Sequence, residues 1–461
     1  MKKYKYIVSI VLLLLVVSSA SAQRVSNDNE DGVYKVDRMS SRAFVPGEVL
    51  VKFKDAYPVQ VRRVKGRYQS VSQNAVNAVL QEFGTTEMEQ LLPKQNPRRA
   101  MRRAKAYNGE TIVEKDLSQL YSVRISSLRP DSVRLLIDRL KALPEVEYAE
   151  PNYKAYIMGE PAEADVICEN PSQNPLYSQQ WGPAFCGVDK LWSKPIINAK
   201  RPIIAILDTG VDISHPDLAP NIWTNTQESE GEDGYDDDND GFVDDVHGWD
   251  FVNNSPKMAD YNSHGTHVAG IAAAADNGVG IVGANPMALI MPITVMQSDG
   301  SGDVRTIVKG IEYAVEHGAT VINMSLGMAV YSQVLREALE HAYQTAVFVA
   351  AAGNDGKDIG KLVIYPAAHS FVLGVEAIDE NGNRASFSNF DPDGPIFSDV
   401  KTYGDEEGCN YEIKAPGTDI FSTIPNGNYK KMNGTSMATP LVAGAVSALQ
   451  MVKQYENQEL L

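Results

Sequence analysis

Two rhythms of apolar and polar positions divide this chain of 461 residues. Between 44 and 157 the apolar positions fall in short segments of either period. "VPGEVLVKFK" alternates after a Pro-Gly turn and predicts a strand. "VSQNAVNAVLQEFG" spaces its apolar residues at helical intervals and closes on Gly84. "LYSVRIS" reads as another strand, and "RPDSVRLLIDRLKALPEVEYAEPNY" as a helix with an acid early on, then a strand. The basic stretch "KQNPRRAMRRAKAY" between them reads as a solvated loop with room for more structure. A β-α-β-α-β order predicts a small α+β domain with an antiparallel sheet.

From 177 onward, continuous apolar runs alternate with amphipathic ones. "RPIIAILDTG", "ALIMPITVM", "ATVINMSLG" and "AVFVAAAGN" read as buried strands. "HGTHVAGIAAAA", "VRTIVKGIEYAVEHG" and "YSQVLREALEHAYQT" read as helices. That alternation predicts an α/β fold with a parallel sheet, whose chemistry collects at the carboxyl ends of the strands. Residues 158–176, rich in Pro, Glu, Ala and Asn, read as a linker. Residues 1–22 have a basic start, an apolar run and Ala20-Ser21-Ala22, the pattern of a signal peptide cut before Gln23. Residues 23–43 are polar and read as unstructured. No later segment reads as a membrane span, so the expectation is an exported protein, secreted or periplasmic, free of the membrane once the signal is removed.

Charge sharpens the division. The net charge of −17 combines 26 basic and 17 acidic residues up to 157 with 16 basic and 42 acidic residues beyond it. Opposite signs suit two domains that attract each other. The acidic body argues against nucleic acid, since phosphate binding needs positive charge. Cys168, Cys186 and Cys409 are too few for a disulfide framework; one pair can form, and sequence does not say which.

Three residues sit at element ends where a fold can bring them together. Asp208 ends the strand "IIAIL", His264 opens "HGTHVAG", and Ser436 opens the small-residue helix "SMATPLVAGA". Singly, each has an ordinary reading as a turn cap, a core histidine or a helix cap. Together they supply a hydroxyl nucleophile, an imidazole base and an orienting carboxylate for acyl transfer. The order Asp, His, Ser is that of subtilisin. Asn354, after the strand "AVFVAAAGN", could offer its amide to a developing oxyanion beside the Ser436 N–H at a helix start.

The blocks "AILDTGVDISHPDL", "HGTHVAGIAAA", "VINMSLG", "AAGND" and "GTSMATPLVAGA" come in the order seen in the subtilisin-like serine proteases, and the likeness runs from about Tyr177 to Leu449. This chain resembles that family. The resemblance implies a secreted serine endopeptidase with Asp208 as orienting acid, His264 as base, Ser436 as nucleophile and Asn354 in the oxyanion hole. It implies a parallel sheet flanked by helices over 177–461, preceded by a ferredoxin-like propeptide at 23–157 that assists folding and blocks the groove. Maturation by self-cleavage would then fall between Ile157 and Asn174. Protein or peptide substrates would pair with two edges, Gly300-Ser301-Gly302 and Ser325-Leu326-Gly327. Met328 and Ile364 stand where the family has smaller residues, implying a shallower primary pocket for small or medium apolar side chains.

The loop "DDDNDGFVDDVHGWDF" alternates Asp236, Asp238 and Asp240 before Gly241, then offers Asp244 and Asp245. This approaches a D-x-D-x-D-G calcium loop, with His247 where an EF-hand has its bidentate Glu. Calcium with a structural role is expected there, and the resemblance implies a weaker site at Asp217 and Asn277. Only 25 residues follow Ser436, fewer than the family usually has. That keeps open a second reading: an inactive, shortened relative acting as a calcium-dependent binding protein.

Overall fold

A computed structural model describes residues 43–59, 61–64, 67–70, 74–93, 103–105, 111–159, 174–192, 200–392, 402–403, 406–407 and 410–459. The leader, nearly all of the polar 23–43 segment, most of the basic stretch, linker residues 160–173, Cys168 and Cys409 lie outside them. Cys186 is a free, buried thiol, and burial pushes it up to about 12.

The front domain is a four-stranded antiparallel sheet. β1 (Phe44–Phe53), β2 (Thr85–Gln90), β3 (Leu120–Ile125) and β4 (Val146–Ile157) lie in the order β4-β1-β3-β2. Helix α1 (Asn74–Glu82) follows the first strand and α2 (Pro130–Lys141) the third. This is the βαββαβ ferredoxin-like arrangement. Val133, Leu136, Ile137 and Leu140 form the buried stripe of α2, at the spacing that makes one helical face. β2 was not legible in the sequence. "TTEMEQ" is an edge strand that buries only Met88, so it carries almost no period-2 signal. The basic stretch also contains a short strand, Arg103–Lys105, paired with Thr111–Val113.

The main domain is built on seven parallel strands: β5 (Ile203–Asp208), β6 (Trp249–Asp250), β7 (Leu289–Thr294), β9 (Val321–Met324), β11 (Val347–Ala351), β12 (Leu373–Ile378) and β13 (Ile413–Pro416). Their order is β6-β7-β5-β9-β11-β12-β13. From β5 the chain first goes to the edge strand β6, returns to β7 beside β5, then crosses to the other side at β9. Asp208 therefore ends a strand at the point where the winding reverses, the usual place for a site in such sheets. α4 (Val304–Glu316) and α5 (Gln333–Ala342) cover one face of the sheet; α3 (His264–Ala273) and α6 (Thr435–Glu459) cover the other. All ten residues of α3 are buried, which explains its small-residue sequence. Thr435–Val452 of α6 is long and apolar enough to cross a membrane, contrary to the reading of the sequence, but it is mostly buried as a core helix.

Two short strands, β8 (Ser301–Asp303) and β10 (Leu326–Gly327), belong to neither sheet alone. Both pair antiparallel with the end of β4, placing Ser301 and Gly327 opposite Tyr156, and Leu326 opposite Ile157. The front sheet thus runs on into the main domain, and one apolar cluster spans Leu50, Ala149, Ile307 and Leu335.

The polar contacts across this boundary differ from a basic domain meeting an acidic one. Lys52 does bind Glu337 at 3.2 Å, and Tyr148 donates to the same carboxylate at 2.9 Å. Lys115 likewise pairs with Glu340 at 3.7 Å, but at other contacts the front domain supplies the acid: Glu89 pairs with Arg305 at 2.7 Å and with Lys309. Glu150 accepts from Ser332 Oγ at 2.6 Å, Gln333 N–H at 3.0 Å and Val334 N–H at 3.3 Å. These are unpaired donors at the start of α5, where a carboxylate is favoured. Net charge acts at long range, whereas contacts are chosen by local donors and acceptors.

Burial pushes Glu150 up to about 7 from an ordinary 4.5, with Glu337 adding repulsion. Docking therefore takes up a proton between those values. This group's contribution is complete below about pH 4.5 and is lost as pH rises through about 7. In the full-length chain, hydrogen exchange in the first turn of α5, corrected for intrinsic rate, should be slower at pH 5 than at pH 8. Glu150→Gln should flatten that difference. His267, fully buried with Nε2 2.9 Å from the Lys430 carbonyl, is pushed down to about 3 by burial. Its ring resonances should stay at the neutral position from pH 8 to about 4 in an NMR titration, while an unfolded chain titrates near 6.5.

Candidate active site

The site forms where β5, α3, β11 and α6 end or begin together. Asp208 and His264 are both fully buried, and Asp208 Oδ1 takes a hydrogen bond from His264 Nδ1 at 2.7 Å and one from Thr209 N–H at 2.8 Å. A proton on Nδ1 leaves Nε2 with its lone pair, the form a general base needs. Nε2 itself has no hydrogen-bond partner.

Asp260 holds this pair in place and was not singled out in the sequence. Its Oδ1 accepts from Thr209 Oγ1 at 2.9 Å and Ser263 N–H at 2.9 Å; its Oδ2 accepts from Thr266 N–H at 2.8 Å and Thr266 Oγ1 at 2.7 Å. One buried carboxylate thereby ties the end of β5 to the first turn of α3. It lies four positions before His264, outside the N-cap position held by Ser263, so no local signal marked it.

Ser436 is in the first turn of α6, but it is fully buried rather than exposed. The cover is Met158 and Gly159, the two residues that follow β4. Met158 N–H donates to the Ser325 carbonyl at 3.1 Å. The Met158 carbonyl oxygen accepts from Ser436 N–H at 3.0 Å and from Asn354 Nδ2 at 2.7 Å. Asn354 is fixed in that orientation because its Oδ1 accepts from Thr435 N–H at 2.9 Å and Thr435 Oγ1 at 3.0 Å. The Ser436 hydroxyl donates to the Ser325 carbonyl at 2.9 Å and not to His264.

Pro440 is the sixth residue of α6. The carbonyl left without its helical donor is that of Ser436, and Ser325 Oγ donates to it at 3.0 Å. Gly434 is required by space: a Cβ there would sit 2.6 Å from the Met158 carbonyl oxygen.

The two expected edges flank this tail. Ile157 N–H donates to the Gly300 carbonyl at 3.0 Å, Gly302 faces Ala155, and Leu326-Gly327 run along Ile157 and Tyr156. Ile364 lines the pocket beneath. A Cβ on Gly327 would lie 2.6 Å from Ile364 Cγ2 and 2.8 Å from Met158 Cε, so these side chains meet over bare backbone.

The acidic loop folds around its own amides. Asp236 accepts from Asp240 N–H and Gly241 N–H, Asp238 from Asp240 N–H, and Asp244 from Gly234 N–H. Glu228 and His317, neither read from the sequence, join the cluster. Glu228, Asp236 and Asp238 converge as one group, and Asp238, Asp240 and His317 as another. His317 Nε2 lies 3.2 Å from Asp240 Oδ2, which is buried without a hydrogen bond. Asp245 is fully buried, accepting from Asn225 at 3.0 Å and from the Tyr313 hydroxyl; burial raises its carboxyl. Asp217 Oδ1 is buried without a hydrogen bond. Asp217 Oδ2 takes Ile281 N–H and the Tyr429 hydroxyl, each at 2.9 Å, and burial pushes it up to about 6. Asn277 binds the Pro216 carbonyl and Val279 N–H. Among the described residues, neither belongs to a cluster of three ionisable side chains.

The geometry brings a carboxylate, an imidazole and a hydroxyl together beneath the chain's own backbone at Met158 and Gly159. The chain was also compared with known proteins. Residues 199–460 match the subtilase family and residues 32–152 the fervidolysin N-terminal prodomain. The chain is 36% identical over 330 residues to a thermophilic serine proteinase of Bacillus sp. (strain AK1), covering 71% of this chain and 68% of that one. It is 37% identical over 274 residues to thermitase of Thermoactinomyces vulgaris, covering 59% and 82% of the two chains. It is 39% identical over 248 residues to subtilisin DY of Bacillus licheniformis, covering 53% and 75%. With a parallel seven-stranded sheet, this family match and a prodomain docked on the groove, the chain belongs to the subtilase family of serine proteases.

Proposed function

We propose that this subtilase is a serine endopeptidase, made as a zymogen, that cuts peptide bonds with Asp208, His264 and Ser436. The observation that carries the reading is the Met158 carbonyl oxygen between Ser436 N–H and Asn354 Nδ2. Those two donors are where a tetrahedral oxyanion would need them. A turn about the Ser436 Cα–Cβ bond takes its hydroxyl from the Ser325 carbonyl toward His264 Nε2. His264 accepts the proton as Ser436 Oγ attacks the carbonyl carbon, then passes it to the leaving amine. Asp208 holds the ring and offsets its transient positive charge. Water then hydrolyses the acyl-enzyme by the same proton route. The apolar leader supports export.

The acidic loop supports calcium. Glu228, Asp236, Asp238 and Asp240 are hard oxygen donors held close by backbone amides, and a cation would offset the repulsion that those amides leave. The ion would brace the loop against α4 and stabilise the fold without entering the chemistry.

Ser436→Ala should abolish peptide hydrolysis and labelling by a fluorophosphonate, which the wild type should show; an unlabelled but folded wild type refutes the triad. Asn354→Ala should lower kcat with KM little changed. The loss measured for such a donor in subtilisin, about 100- to 1,000-fold, is taken over here. Chelation should lower the melting temperature by several degrees, about 1–2 kcal/mol of lost stability for a domain of this size, with calcium restoring it.

A further inference from the structure

We infer that the Met158–Gly159 peptide bond is the first bond this enzyme cuts, and that Ala155–Met158 is the template for its later substrates. The inference rests on the triad proposed above and goes further, to one bond and one substrate class.

The sequence allowed a cut anywhere between Ile157 and Asn174. The structure holds one carbonyl in that span as a reacting carbonyl. Met158 O has both oxyanion donors, and Met158 N–H is bound to Ser325 O on the other side of the residue. Gly159 then passes directly over the base: a Cβ there would lie 2.8 Å from His264 Nε2 and 3.4 Å from Ser436 Cβ. The leaving nitrogen belongs to that same Gly159, so the atom needing a proton is beside the atom that will carry it. The step balances without any further reactant than water. Ser436 Oγ bonds to the Met158 carbonyl carbon, its proton goes to His264 Nε2, and the Met158 C–Gly159 N bond breaks. The proton leaves on the Gly159 amine. Water then releases Met158 as a carboxylate and restores the Ser436 hydroxyl.

The residues before the bond show what the groove accepts. Met158 is unbranched, and its terminal methyl lies against the Gly327 backbone and Ile364. Ile364 also closes the far side, with Cγ1 3.0 Å from where a Gly353 Cβ would be. A planar ring entering this slot would have to displace Ile364; a flexible thioether bends past it. Ala155 is fully buried where it pairs with Gly302, which leaves room only for a small residue three positions earlier. Tyr156 between them is 47% exposed, so that position is tolerant. The substrate class is therefore an extended chain with a small residue, a tolerant one, an apolar one that packs against Gly300, then Met or a similar unbranched apolar residue.

The test is top-down mass spectrometry of the freshly expressed full chain beside Ser436→Ala, with fluorophosphonate labelling of the products. The expected released front fragment ends at Met158, and Ser436→Ala stays whole. A labelled enzyme whose front fragment ends elsewhere overturns the inference and leaves the triad standing. No label and no cut overturns both. Met158→Asp should slow cutting at this bond by at least about 100-fold, since it would bury an unpaired carboxylate, and Met158→Leu should rescue it. Peptides bypass any folding defect of these variants. On the mature enzyme, Ala-Tyr-Ile-Met should exceed Ala-Tyr-Ile-Phe in kcat/KM by about tenfold, and Ile364→Gly should reverse that order. Equal or better cleavage after Phe by the wild type overturns the pocket assignment.

Discussion

The hydrogen bonds that hold Met158 between the main domain's two substrate edges and its oxyanion donors organise the rest of this molecule. They join a front domain to a main domain through one continuous strand. β4 begins as the edge of a ferredoxin-like sheet and ends paired with β8 and β10. Each such bond contributes only about 1 kcal/mol net. Their effect is chiefly geometric, because a strand paired on both sides has one register. That register delivers a single carbonyl to Ser436 and Asn354.

The surrounding structure serves that placement. Seven parallel strands put Asp208, Met324 and Ala351 at one rim, and the reversal of winding at β5 opens a crevice there. α3 and α6 then enter the rim by their first turns, bringing His264 and Ser436 with amide donors facing the crevice. Tight positioning falls to neighbours: Asp260 links β5 to α3, Thr435 orients Asn354, and Ser325 serves the tail, the nucleophile and the helix carbonyl left open by Pro440. Such shared buried partners make the site rigid, since no single group can shift without leaving another unsatisfied.

The prodomain interface combines apolar continuity with a carboxylate at a helix start. Leu50 and Ala149 extend the core of the main domain, while Glu150 occupies donors at α5 that water must otherwise serve. Burying that carboxylate raises its proton affinity, so the same contact that docks the prodomain makes docking sensitive to pH.

Fold class, four of the seven parallel strands and the three candidate catalytic residues were legible in the amino-acid sequence because each is a local signal. A continuous apolar run ending in Asp208, a helix opening at His264 and a small-residue helix opening at Ser436 are written within a dozen residues apiece. The edge strand Thr85–Gln90 was not legible because one face of it meets water and only Met88 is buried. Glu228 and His317 were missed because the acidic loop meets them through space, from α4 and from a turn upstream. The direction of the interface ion pairs, the burial of Ser436 and the choice of Met158 were likewise decided in three dimensions. Composition counts charge and local pattern sets elements, but which carbonyl reaches a nucleophile depends on the register of strands far apart in the chain.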